Sequence, residues 1–202
     1  MTQTSSAWQS WRARVDLEEY DAKWQQMEAA GENPHGEVDF VCRFMPQLVL
    51  DAGCGTGRVT IELNRRGVIC HGVDLDGDLL AVAHRKAPEL TWTLCDLADL
   101  PAALPEAAFD VVVAAGNVFR FVEVSRQAQA VAGCAAQLAP GGRLIAGFQL
   151  GQPSPTLLDY DNWAAAAGLE LEARFAGWNC EEFPRGAEYS AASYAVSVHR
   201  RT

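Results

Sequence analysis

Across residues 48–150, short apolar runs alternate with segments whose apolar residues recur every three or four positions. The runs LVLDAG, VICHGVD, LTWTLCD, FDVVVAAG and RLIAGFQL read as five strands. FDVVVAAG is apolar enough to be covered on both faces. GRVTIELNRRG reads as a helix, with Val59 and Leu63 one turn apart and Gly67 as its stop. GDLLAVAHRKA is a second helix, closed by Pro88, and residues 123–139 are a third. In the third, Val124, Ala128, Val131, Ala135 and Leu138 are expected on one side. DLADLPAALPEAA, punctuated by proline, reads as a connection, and PGG reads as a turn before the fifth strand.

Strands alternating with helices predict a parallel sheet with helices on both faces and right-handed crossovers. The two ends of the chain depart from that pattern. Leu17, Tyr20, Trp24 and Met27 share one face of a helix expected over residues 15–30, broken by Gly31 and Asn33-Pro34. A second short helix is expected over 37–44. At the other end, residues 156–167 read as a helix. LELEARFAGWN and EYSAASYAVSVHRR then read as two strands joined only by loop, which must pair antiparallel. The expectation is one α/β domain over residues 1–202. An N-terminal helical cap (1–46) covers a doubly wound, Rossmann-like core (47–202), whose seven-stranded sheet is mostly parallel with an antiparallel last strand. In such sheets ligands bind beyond the carboxyl ends of the strands, where strand order reverses.

The loop after the first strand, in VLDAGCGTGR, sits at one such end. Its spacing is G-x-G-x-G, not the G-x-G-x-x-G of dinucleotide sites, and no G-K-[ST] follows to make a P-loop. Asp51 precedes the first glycine by two residues. A carboxylate there repels a pyrophosphate and attracts a cation. Asp74 ends the second strand, where an acid accepts hydrogen bonds from ribose hydroxyls; a solvated strand end or a helix cap is the alternative. Asp96, after the third strand, suits either an exocyclic adenine amine or a helix cap.

Charge and cysteine content narrow the partners. With 16 basic and 26 acidic residues the net charge is −10, which disfavours a phosphate backbone as partner. The six cysteines stand singly, none in a CxxC pair, and suit free thiols in a reducing compartment. The four histidines are scattered without metal-ligand spacing, so no metal site is expected. No apolar run has the length of a signal peptide core or a membrane helix. A cytoplasmic protein with no membrane partner is the expectation; the oligomeric state is open.

VLDAGCGTG, GVDLD, CDLADLP, FDVVVAAGNV and LAPGGRLIAGF stand in the order and spacing seen in class I S-adenosylmethionine-dependent methyltransferases, and the chain resembles that family over residues 48–148. GNVFRFV and SVHRR resemble small actinobacterial members of unassigned substrate. The resemblance implies S-adenosylmethionine as methyl donor. It places Asp51, Ala52, Gly53, Cys54, Gly55 and Gly57 around the methionine part, with Asp51 near its ammonium group. It places Asp74 and Leu75 at the ribose, Asp96 and Leu97 at the adenine, and Gly116 and Asn117 near the transferred methyl. Cys54, inside the tight loop, is read as a packing residue.

The acceptor is less legible. No [DN]PP[YFW] follows the fourth strand, where the chain has AAGN, and no Pro-Cys nucleophile or paired-glutamate loop occurs. A small-molecule acceptor is the expectation, with no nucleic acid. A non-catalytic donor-binding protein and a protein methyltransferase are the alternatives; a nicotinamide oxidoreductase lacks its glycine spacing and its Tyr-x-x-x-Lys. Tyr20 and Trp24 are expected as a lid over the donor or as packing. Arg120 is read as an anchor for an acidic substrate or a surface residue, and His35 as a proton acceptor or a solvated loop residue. Trp178, Asn179, Glu181 and Glu182 either close a pocket or only join two strands. No general base is named.

Overall fold

The computed structural model of the 202-residue chain describes residues 5–104, 108–184 and 193–202. Helices α1 (Ser6–Arg12), α2 (Leu17–Ala29) and α3 (Gly36–Cys42) precede the first strand. Then come β1 (Leu48–Ala52), α4 (Arg58–Arg65), β2 (Ile69–Asp74), α5 (Gly77–Lys86) and β3 (Trp92–Leu94). A 3₁₀ turn (Leu97–Asp99) and the short α6 (Leu100–Ala103) lead to β4 (Phe109–Ala114) and α7 (Val118–Phe121). After a second 3₁₀ turn (Val124–Arg126) the chain forms α8 (Gln127–Ala136), β5 (Leu138–Gln149), α9 (Leu157–Ala166), β6 (Leu169–Phe175) and β7 (Tyr194–Arg201).

The seven strands form one sheet in the order β3-β2-β1-β4-β5-β7-β6. The first five pair in parallel. β7 runs antiparallel to both β5 and β6. The expected antiparallel pair is present and forms that edge of the sheet. β7 enters between β5 and β6, which leaves β6 as the edge. Strand order reverses between β1 and β4, so the glycine loop and the segment after β4 flank the switch point.

Two-sided burial makes the central strands apolar at successive positions. In β4, Val112 and Ala114 face a cluster with Phe119, Val131, Phe148 and Tyr160. Val111 and Val113 face a second cluster with Val38, Phe40, Val59 and Leu63. Each fully buried side chain of this size contributes about 1.5–3 kcal/mol. Val38, Phe40 and Val41 of α3 are buried against the same face as α4, so α3 packs as a layer of the core.

Two expectations change. The third helix begins at Gln127 rather than 123, because the preceding 3₁₀ turn rotates the chain. Its buried stripe is therefore Gln127, Ala130, Val131, Cys134 and Ala135; Val124 is 60% exposed and Ala128 faces outward. PGG does not separate helix from strand. β5 already starts at Leu138, and its pairing with β4 slips between Phe109 and Val111, which absorbs the extra residues as a bulge.

Among the described residues no helix is long and apolar enough to cross a membrane, and no group of three His, Cys, Asp or Glu side chains is placed to hold a metal ion. All six cysteines are free thiols.

Candidate functional site

A cavity of about 1080 Å³ opens above the carboxyl ends of β1, β2, β3 and β4. The glycine loop makes its floor. The N–H groups of Gly53 and Cys54 both donate to the Val73 carbonyl, at 2.8 and 3.0 Å, which ties the loop to the end of β2. Gly53 has φ 78°, and a Cβ there would lie 2.6 Å from a methyl of Val118, so the loop tucks under α7. Gly55 has φ 56° with nothing within 4 Å of where a Cβ would be. One glycine is required by close packing and the other by its left-handed backbone facing open space.

Asp51 forms part of the wall and is 2% exposed. Its Oδ2 accepts the Thr60 N–H at 3.1 Å and the Thr60 hydroxyl at 2.8 Å. Burial nevertheless pushes its carboxyl up to about 7, against the pull of Thr60 and Arg58. Asp74 lies at the end of β2. Its Oδ2 accepts the Gly55 N–H at 2.8 Å and its Oδ1 the Asp76 N–H at 2.9 Å. Burial raises this carboxyl too, and the backbone N–H groups oppose the rise. The helix cap is Asp76, whose Oδ1 accepts from Asp78 and Leu79 at the start of α5. Asp74 thus has no capping duty and faces the cavity.

Asp96 does cap. Its Oδ1 accepts the Ala98 N–H at 2.9 Å, and Arg126 donates to its Oδ2 at 2.6 Å. It lines the cavity beside Leu97 and Cys95. Cys54 also lines it; burial raises its thiol well above the usual range, which suits packing rather than nucleophilic chemistry.

The roof is aromatic and comes from the N-terminal helices. Trp8 stacks on Trp11 at 4.9 Å, and Trp11 meets Tyr20 at 5.6 Å and Phe121 at 5.7 Å. Tyr20 contacts Trp24 at 6.4 Å. Polar ties hold this roof down. The Ser5 hydroxyl donates to the Phe121 carbonyl at 2.6 Å, and Arg12 reaches Asp76 at 3.2 Å and Asp78 at 3.1 Å. Thr56 donates its hydroxyl to Asp21 at 2.7 Å, and Lys86 pairs with the same aspartate. Arg58, the first residue of α4, lies 4.0 Å over the ring of Trp24 and forks onto Glu37 at 2.9 and 2.7 Å.

The cavity brings together eleven of the residues singled out in the sequence: Tyr20, Trp24, Asp51, Gly53, Cys54, Gly55, Asp74, Leu75, Asp96, Leu97 and Gly116. Ala52, Gly57 and Asn117 do not line it. Ala52 is in the core. Gly57 caps α4 against Trp92 and Ala83. Asn117 ties β4 to β5, donating its N–H to Gly147 and accepting from the Gln149 N–H at 2.6 Å. Arg120 points to Gly151 and Ser154, and His35 lies 4.0 Å from Glu62; neither lines the cavity. Trp178 donates to Tyr194 at 3.1 Å, also outside it. Ser5, Trp8, Trp11, Phe121 and Arg58 line the cavity without having been singled out for it. The signal for the first three was a serine followed by two tryptophans three residues apart, which is a capped helical turn.

Residues 49–142 match the methyltransferase domain family. The chain is 32% identical to the TehB-like S-adenosylmethionine-dependent methyltransferase of Corynebacterium glutamicum; the match covers 92% of this chain and 97% of that one, with a TM-score of 0.80. Over 100 residues it is 34% identical to the demethylmenaquinone methyltransferase of Tropheryma whipplei (48% of this chain, 39% of that protein). Over 98 residues it is 34% identical to the probable tRNA methyltransferase 9B of Mus musculus (48% of this chain, 21% of that protein). The match thus spans less than half the length of these two curated relatives. An acidic, aromatic-roofed cavity over the strand switch, on a sheet shared with the Corynebacterium enzyme along nearly its whole length, identifies the chain: it belongs to the S-adenosylmethionine-dependent methyltransferases.

Proposed function

We propose that the chain forms one methyltransferase unit that transfers the methyl group to a small-molecule acceptor, with the cavity over β1 and β4 holding the donor. The observation that carries the donor assignment is the pair Asp51 and Asp74, two buried carboxylates on one cavity wall. Isolated buried charges are costly, and each carboxyl is raised by its burial. A nucleoside bearing sulfonium and ammonium charge relieves that cost; a diphosphate would add to it. The open space over Gly55 fits a ligand lying directly on the backbone.

When bound, S-adenosylmethionine supplies an activated methyl on sulfur. The work left to the chain is to align, to keep water out and to hold charge. Asp74 accepts from the ribose hydroxyls while fixing Gly55. Asp51 faces the ammonium. Asp96, already tied to Arg126, presents a rigid edge to the adenine, with Leu97 beneath the ring. Trp8, Trp11, Tyr20 and Phe121 exclude water from above. No cavity residue is placed as a general base by its contacts.

The aromatic roof and the net charge of −10 support a small acceptor over a nucleic acid. The test is to incubate the protein with methyl-labelled donor and, separately, a metabolite extract, total tRNA and denatured protein. Label is expected in the metabolite fraction. Label in tRNA alone or protein alone overturns the small-molecule reading and leaves the donor assignment standing.

A further inference from the structure

Arg58 is the one Lys, Arg or His among the side chains that line the cavity, as far as the described residues go. Around it the lining carries the carboxyls of Asp51, Asp74, Asp96 and Glu123. These suit the cationic parts of the donor. They repel its α-carboxylate, which needs a positive partner inside the same cavity.

The guanidinium has donors to spare. It carries five N–H groups. Both on Nη1 are used, on the Pro34 carbonyl and on Glu37 Oε2, and one on Nη2 is used on Glu37 Oε1. Among the described residues the Nε–H and the second Nη2–H have no hydrogen-bond acceptor. Its orientation is fixed on two sides, by the fork onto Glu37 and by the face of Trp24. The side chain is 15% exposed, so a carboxylate arriving there meets a preorganised charge largely screened from water. Its field opposes the rise that burial imposes on the Asp51 carboxyl, and both side chains line the cavity.

We infer that Arg58 is a donor-binding residue: its free Nε–H and Nη2–H take the α-carboxylate of the methionine moiety, while Asp51 takes the ammonium, so the pair reads the zwitterion. Glu37 and Trp24 are positioning residues that aim the guanidinium. This rests on the donor site proposed above. Arg58 follows the last glycine of the loop directly, so one turn supplies both the backbone floor and the charged clamp.

The test compares two ligands by calorimetry. S-adenosylhomocysteine carries the amino-acid group; 5′-methylthioadenosine has the same nucleoside and thioether without it. Arg58→Met is expected to weaken S-adenosylhomocysteine by roughly 10- to 100-fold, the range for losing hydrogen bonds to a charged group, and to leave methylthioadenosine within about threefold. Unchanged affinity for S-adenosylhomocysteine overturns the inference, and so does an equal loss for both ligands. Should Arg58→Met fold poorly, the wild-type protein decides. Decarboxylated S-adenosylhomocysteine, which keeps the nucleoside and the amine, is expected to bind at least tenfold more weakly than S-adenosylhomocysteine, and equal binding refutes the clamp. Wild-type protein that binds neither nucleoside would instead overturn the donor site itself.

Discussion

Asp74 accepts the backbone N–H of Gly55 at 2.8 Å, so the acid proposed for the ribose also holds the loop on which the donor would lie. Asp74→Ala removes both functions. Each lost hydrogen bond to the carboxylate is worth about 1.5–3 kcal/mol, so affinity for S-adenosylhomocysteine is expected to fall by more than 100-fold. Asp74→Asn is expected to do little better, because its amide nitrogen would face a backbone donor. Calorimetry on both variants checks this; wild-type affinity in either would remove Asp74 from the site.

Donor binding is expected to weaken as pH falls below neutrality. The Asp51 carboxyl is raised by burial to about 7, well above its usual value near 3.8. Between those values the folded protein binds a proton that the unfolded chain does not, so burial of this acid lowers stability as pH rises through that window. A cation beside Asp51 favours the ionised form, so binding at pH 6 expels a proton and costs affinity relative to pH 8. Calorimetry in buffers of different ionisation heat should register proton release at pH 6 and little at pH 8. Thr60→Val, which removes the hydroxyl donated to Asp51, should move this dependence to higher pH.

Two glycines of one loop should fail in different ways. Gly53→Ala drives a methyl into Val118 at 2.6 Å in a left-handed backbone, and is expected to lower thermal stability. At Gly55 an added Cβ would meet no protein atom within 4 Å, so Gly55→Val points its side chain into the open cleft. It carries only the backbone strain, about 1–2 kcal/mol, and should stay folded while losing donor binding to steric block. Melting curves alongside titrations separate the two, and a Gly55→Val protein with normal affinity would contradict the placement of the ligand.

Trp11→Ala is expected to loosen the roof without unfolding the domain, since α1 contains no fully buried residue. The ring touches Trp8, Tyr20 and Phe121, so its loss should raise the dissociation rate of S-adenosylhomocysteine more than it lowers the association rate. Stopped-flow tryptophan fluorescence reads this directly, because Trp8, Trp11 and Trp24 all line the cavity.

The features legible in the sequence are those with a short-range physical cause. Alternating apolar runs reported strands covered on both sides, and the glycine spacing reported a tight left-handed loop at the end of β1. What was not legible depends on distant partners. The apolar pair on α1, Trp8 and Trp11, gives no sign in the sequence that it faces a cavity rather than the core. Arg58 reads as an ordinary helix residue until Glu37 and Trp24 are seen around it. The stripe expected on residues 123–139 holds at Val131, Ala135 and Leu138 and fails at Val124 and Ala128, because a three-residue turn precedes the helix and periodicity does not reveal where a 3₁₀ turn hands over to α. Whether β7 would sit at the rim or inside depended on pairing between strands far apart in the sequence.

The interior place of β7 bears on how the molecule is made. It comes after the other six strands in chain order, yet β5 and β6 are each hydrogen-bonded to it and not to one another. A nascent chain halted before Tyr194 holds two raw strand margins apart across a gap one strand wide, and apolar Val196 and Val198 are not yet there to fill it. The ribosome must carry the chain past β7 before the sheet can close, so a nascent form that stops short of it exposes the margins of β5 and β6 to chaperones and to other copies of itself.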